Sequence, residues 1–219
     1  GEDFYMGTGV AQDHQLAFKW YSLAAEQGVA QAQANLGGLY WDGNGVSQSY
    51  EEALKWITLS SEQGNARAQC ILGFAYSKGL GVPQDYQLGF KFTTLSAEQG
   101  DDTSQNNLGF MYDSGEGVIE SHNAAIKWYT LAAKQGNVEA QSCLGSMYEN
   151  GRGVPADLEK AYMWFDLSCQ GNQNVSAACT EAQLASGKKE AIAKRMTPDQ
   201  IIKAQSMSKR CLESGYKDC

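Results

Sequence analysis

The residues of this chain best suited to chemistry are five glycine-rich tetrapeptides, two histidines, six cysteines and a few paired carboxylates. Gly-x-Gly-Val stands at 7–10, 43–46, 79–82, 115–118 and 151–154. Such a loop can cradle a phosphate with its backbone amides, but that use needs a further glycine or a following Lys-Ser/Thr, which no copy has. His14 and His122 occupy one repeat position three periods apart. At ~10 Å per stacked helix pair they lie roughly 30 Å from each other, too far to share a metal or a proton. Each falls in the first turn of a helix and is expected on the surface. Glu51-Glu52 and Asp101-Asp102 sit at helix starts, where carboxylates complement the helix dipole. No Ser/His/Asp or Cys/His constellation gathers around either histidine. The sequence predicts a chain that is not an enzyme, with no cofactor and no metal site.

The cysteines are Cys70, Cys143, Cys169, Cys179, Cys211 and Cys219. None of their spacings is a zinc pattern. Cys143 and Cys179 match one repeat apart, where helix axes sit ~8–10 Å from each other, and a bridge needs Cα atoms within about 7 Å. Cys169 at one helix end faces Cys179 in the next helix of an antiparallel hairpin, and Cys211 and Cys219 flank a short turn with a glycine. The expected disulfides are Cys169–Cys179 and Cys211–Cys219. Two bridges imply an oxidising compartment.

These groups are positioned by a repeat of 36 residues, the interval between successive Gly-x-Gly-Val copies. A fixed period of this length marks stacked repeats. The first half of each unit carries Ala-Gln-x-x-Leu-Gly-x-x-Tyr, as in Ala32, Gln33, Leu36, Gly37 and Tyr40. Its apolar residues form one stripe of a helix. The recurrent glycine costs ~1 kcal/mol of helix propensity, which predicts helices approaching too closely for a Cβ. Gly-x-Gly-Val ends this first helix through a left-handed glycine. Asp13, Ser49, Asp85, Ser121 and Asp157 are favoured N-caps for a second helix, and Ser49-x-x-Glu52 has the form of a capping box. That helix repeats Ala-x-Lys-Trp-x-x-Leu and stops at Gln-Gly. One hairpin cannot cover its own apolar face, so stacking is required.

The period breaks at Cys169-Gln170-Gly171, one residue early. Residues 175–195 read as a helix, and Thr197-Pro198-Asp199-Gln200 opens another with a capping box and Pro at the first helical position. This Lys-rich pair would cap the stack. The chain has 219 residues and a net charge of −8, divided as −12 over residues 1–187 and +4 over 188–219. An acidic repeat region repels phosphate backbones, so no nucleic acid is expected. No apolar run approaches the ~18–20 residues of a membrane span. No leader is visible, although Gly1 opens inside what should be a first helix.

The motif Ala-x-x-x-Leu-Gly-x-x-Tyr, Gly-x-Gly-Val, Asp-x-x-Lys-Ala-x-x-Trp and Ala-Ala-x-Gln-Gly, clearest in residues 137–167 and 11–28, resembles the Sel-1-like repeat family of tetratricopeptide-like proteins. The end of the chain is similar to that of many bacterial members, with Ala161-Tyr162-Met163-Trp164-Phe165, Lys194 to Ile201, Cys211 and Tyr216-Lys217-x-Cys219. The resemblance implies an all-α, right-handed α-solenoid of stacked antiparallel hairpins with a C-terminal capping helix pair. Its domains are residues 1–171, about five repeats with the first incomplete, and a cap at 172–219. It implies an adaptor for a protein or peptide, periplasmic or secreted, and monomeric. One cysteine-rich branch is linked to penicillin binding, so the alternative is a binder or hydrolase of a β-lactam or cell-wall fragment.

Recognition should use the positions that differ between repeats. On the first helices these fall on one face, expected to line the concave groove. Trp41, Ile71, Phe74 and Phe110 are the expected apolar contacts for a partner, and Asn35 and Asn107 the donors to its backbone.

Overall fold

The computed structural model describes the backbone of residues 1–170 and 180–219 and the side chains of 1–170 and 185–219. Among these there are twelve α-helices and no strand. The chain forms two compact units, Gly1–Asp101 and Asp102–Cys219. The first holds α1 (Glu2–Met6), α2 (His14–Glu26), α3 (Ala30–Asp42), α4 (Tyr50–Glu62), α5 (Ala66–Lys78) and α6 (Tyr86–Glu98). The second holds α7 (Asp102–Ser114), α8 (His122–Ala133), α9 (Val138–Asn150), α10 (Leu158–Gln170), α11 (Thr180–Ala193) and α12 (Pro198–Glu213). Within each unit α1 to α6 and α7 to α11 pack consecutively, and α12 lies on α10. The architecture is all-α and of the α-solenoid class.

The helical glycines mark the closest approach inside each hairpin. A Cβ on Gly109 would stand 2.7 Å from the Tyr129 ring, and one on Gly145 would stand 2.8 Å from the ring of Phe165. Gly37 and Gly73 face Ile57 and Thr93 in the same way. The repeat therefore keeps glycine on the first helix so that the second can press a side chain onto bare backbone.

The two glycines of Gly-x-Gly-Val do different work. The leading ones, such as Gly43 with φ 73°, close the first helix in the left-handed conformation. The second glycines at 45, 81 and 153 pack on the preceding repeat: a Cβ on Gly153 would stand 2.7 Å from the backbone carbon of His122, and Gly45 and Gly81 meet His14 and Tyr50 likewise. The N-cap amide then donates back to the tyrosine carbonyl of the first helix, as Ser49 does to Tyr40 at 2.9 Å and Asp85 to Tyr76 at 2.8 Å.

Buried amides lock the helices together. The Gln63 side chain donates to Gln33 Oε1 at 2.7 Å, Gln99 to Gln69 at 2.7 Å and Gln135 to Gln105 at 2.8 Å. Gln33 in turn donates to the Ala25 carbonyl at 3.2 Å, so one amide joins the ends of α2 and α4 to the start of α3. Serines add parallel bonds, from Ser60 to the Ala30 carbonyl at 2.7 Å and from Ser96 to that of Ala66 at 2.8 Å. The ladder ends at Gln141, whose Oε1 is fully buried and accepts no hydrogen bond among the described residues. The one-residue slip places Gly171 at the matching position, and Gln170 turns to Asp166 instead.

Two local expectations differ, at Ser49 and at the histidines. Ser49 caps α4 by accepting from the Glu52 amide, but the reciprocal bond is absent because the Glu52 carboxylate turns 3.6 Å towards Lys55. The complete capping box is at Thr197 and Gln200. His14 and His122 are half-buried rather than on the surface, His14 against the Tyr5 ring at 5.4 Å. Helix α11 is described from Thr180, and the expected Cys169–Cys179 bridge involves Cys179, which lies outside the described residues. A disulfide joins Cys211 to Cys219 and folds the end of the chain onto the core of the second unit beside Met163 and Trp164.

Two neighbours in α3 separate the packing role of glycine from its helix cost. Gly37→Ala should destabilise by about 1–3 kcal/mol through overpacking against Ile57. Gly38→Ala, with no atom nearer than 4.0 Å to the new Cβ, should stabilise by about 0.5–1 kcal/mol. Urea denaturation measures both. By the same method Cys219→Ser should lose about 2–3 kcal/mol, the loop-closure contribution of a short disulfide loop.

Candidate functional site

In the first unit the expected contact residues form two neighbouring groups. Trp41 near the end of α3 is half-buried, edge-on to Tyr50 at 4.8 Å and tilted against Phe74 at 6.5 Å. Phe74 remains 44% exposed. Ile71 is partly buried against the core of α4 and α5, so it supports this patch more than it presents itself. Asn35 belongs to a polar network: Gln31 and Arg67 donate to its Oδ1 at 3.1 and 3.4 Å. It stands by the Tyr21 hydroxyl, whose pKa is raised by burial and by the nearby Glu2 charge, against the opposing effect of Asn35. Asn35, Arg67, Tyr21, Tyr5 and Glu2 line a cavity of about 230 Å³.

In the second unit Phe110, 47% exposed, lines a larger cavity of about 360 Å³ with Asp113, Tyr129, Cys143, Arg152 and Lys188. Asn107 is half-buried on the same helix but does not line it. Arg152, the variable residue of its Gly-x-Gly-Val, reaches back to Asp113 Oδ1 at 2.9 Å. His122 Nδ1 stands 3.0 Å from the same oxygen without the alignment of a hydrogen bond, and its Nε2 is 3.3 Å from Glu120. Burial, then the nearby Cys143, holds the Tyr129 hydroxyl far above the ordinary phenol range, so it stays protonated.

Lys188 lines this cavity together with Arg152, Asp113 and Glu139. The capping segment is tied to the last hairpin by Lys189–Asp166 at 3.0 Å, Arg195–Glu149 at 2.7 Å and Lys203–Glu159 at 2.5 Å. Burial alone would lower the Lys189 pKa, but the Asp166 hydrogen bond and charge outweigh it and the net shift is upward. Lys188 has no carboxylate partner among the described residues; it donates to Ser146 Oγ at 3.0 Å and sits 5.4 Å from the Phe165 ring centroid. A half-buried ammonium with donors to spare can bind a carboxylate. Periodicity does not single out Lys188, which follows the break in the period. Arg152 was visible only as a turn residue.

A Sel1 repeat family model matches residues 4–29, 30–65, 66–101, 103–137 and 138–173. The chain belongs to the Sel1 repeat family. A Sel1 repeat protein from Oxalobacter formigenes is similar at 32% identity and a TM-score of 0.73, over 89% of this chain and 85% of that one. The protein c5321, described as a protective antigen of uropathogenic Escherichia coli with an SLR fold, matches at 33% identity and a TM-score of 0.79. That match takes in 99% of this chain and 45% of c5321. No curated protein matches. Sel1 repeat proteins generally act as protein–protein interaction scaffolds. No helix among the described residues is long and apolar enough to cross a membrane.

Proposed function

We propose that this Sel1 repeat chain is a non-enzymatic scaffold that holds a protein or peptide on the first-helix faces. The observation that carries the reading is the juxtaposition of exposed Phe110 with Arg152 and Lys188 around one cavity. An apolar side chain would rest on Phe110 while an adjacent carboxylate meets the Lys188 ammonium. Trp41 and Phe74 offer a second apolar contact in the first unit. The stacked hairpins supply rigid helices for these contacts, which suits binding better than turnover. A periplasmic or secreted location is part of the proposal and rests on the Cys211–Cys219 disulfide.

The reading is tested by affinity capture with wild type, Trp41→Ala/Phe110→Ala and Lys188→Ala, followed by titration of the captured partner. A charge-assisted hydrogen bond of about 1.5–3 kcal/mol makes the expected loss for Lys188→Ala roughly tenfold to a hundredfold in affinity. If the double variant and Lys188→Ala both keep every partner at full affinity, the first-helix faces are not the binding surface.

A further inference from the structure

The exposed face of the second helices in the first unit repeats as strictly as the core. It carries Lys19, Leu23 and Glu26 on α2, Lys55, Leu59 and Glu62 on α4, and Lys91, Leu95 and Glu98 on α6. The spacing i, i+4, i+7 places each trio on one side of its helix. All six charges are exposed, and the leucines are 44%, 40% and 38% exposed. Among the described residues Lys19, Lys91, Glu26, Glu62 and Glu98 belong to no ion pair, and Lys55 has only its helix neighbour Glu52 at 3.6 Å. The surface is thus an apolar row bordered by a lysine row and a glutamate row, the two charges lying about 10 Å apart along each helix axis.

The fifth hairpin shows what happens when such a face is covered. Its equivalents on α10 are Met163, Leu167 and Gln170, with both charges gone. There α12 lies on the helix, and Met163, Trp164 and Leu167 are 2%, 3% and 0% exposed, in one cluster with Cys211. The face accepts a helical partner, and its charges are absent where this chain supplies that partner itself. In the first unit the charges persist in register around a bare apolar row.

We propose that this second-helix face of the first unit docks a second copy of the chain in a two-fold dimer. The symmetry axis runs across the helices, in the plane of the face. Rotation about it lays each lysine row on the partner's glutamate row and leucine on leucine. An axis along the helices would instead set lysine against lysine. The surface is therefore self-complementary in one orientation, as a closed two-fold interface requires. Three helices spaced about 10 Å apart, each exposing about 20 Å of its length, bury about 1,000 Å² in total, the low end of specific interfaces. The dimer is correspondingly concentration-dependent and weakened by salt. This departs from the monomer expected from the sequence, and it leaves the first-helix faces open.

Sedimentation velocity over a range of concentrations tests the proposal with three proteins. These are wild type, Lys19→Glu/Lys55→Glu/Lys91→Glu, and Glu26→Lys/Glu62→Lys/Glu98→Lys. The substitutions are on the surface, and circular dichroism melts verify folding. Wild type should dimerise, and each variant alone should be monomeric because like rows then face each other. An equimolar mixture of the two variants should recover the dimer, since both pairs of rows are again opposite in sign. A wild type that stays monomeric throughout overturns the proposal. So does a dimer unaffected by the charge reversals, or a variant mixture that stays monomeric.

Discussion

The structure depends on satisfying one buried amide per repeat. Gln33, Gln69 and Gln105 sit almost wholly out of water near the starts of first helices, and each accepts from the glutamine that ends the following helix. Leaving such an acceptor without a partner costs about 1–3 kcal/mol, so a helix that slides or rotates loses more than it gains. The amide bonds fix register, and the glycine contacts fix distance. Gly109 under Tyr129 and Gly145 under Phe165 allow an approach that a Cβ would block. Apolar burial supplies the drive to stack, but it has no direction, and these two constraints supply it.

Gln141 shows the same constraint failing at one place. It still donates to the Ala133 carbonyl at 3.1 Å, but its oxygen accepts no hydrogen bond among the described residues, since the next glutamine comes one residue early and bonds Asp166. Beyond that slip the chain changes from repetition to capping. Ion pairs from Lys189, Arg195 and Lys203 and the Cys211–Cys219 bond take over from the ladder.

Periodicity made the hairpins and their boundaries legible in the sequence, since each fixed residue answers to a contact that every repeat makes. The helical glycines are legible as points of close approach, because their helix cost recurs in every repeat. The second glycine of Gly-x-Gly-Val is legible only as part of a turn, although Gly45, Gly81 and Gly153 also pack on the preceding repeat. Ser49-x-x-Glu52 has the pattern of a complete box, but Lys55 three residues on draws Glu52 away. The candidate site was less legible, because recognition uses what the repeats do not share. Phe74 and Phe110 could be named from the variable face, whereas Lys188 comes from a segment outside the period and Asn35 is engaged with Gln31 and Arg67. The two faces of the hairpins differ in the same respect: first helices vary from repeat to repeat, and the second helices of the first unit keep their charges in step.

The most direct test of this account is a double-mutant cycle between Gln33 and Gln63, using Gln33→Leu, Gln63→Leu and both together, with stability measured by urea denaturation. Gln63→Leu should cost about 1–3 kcal/mol, since it strands the buried Gln33 oxygen, and Gln33→Leu should cost about 0.5–1.5 kcal/mol, since the partner it leaves, Gln63, is exposed. The double change should cost less than their sum by about 1 kcal/mol or more, because the two amides act as a unit. Strict additivity would mean that the ladder does not couple the helices, and it would contradict the account.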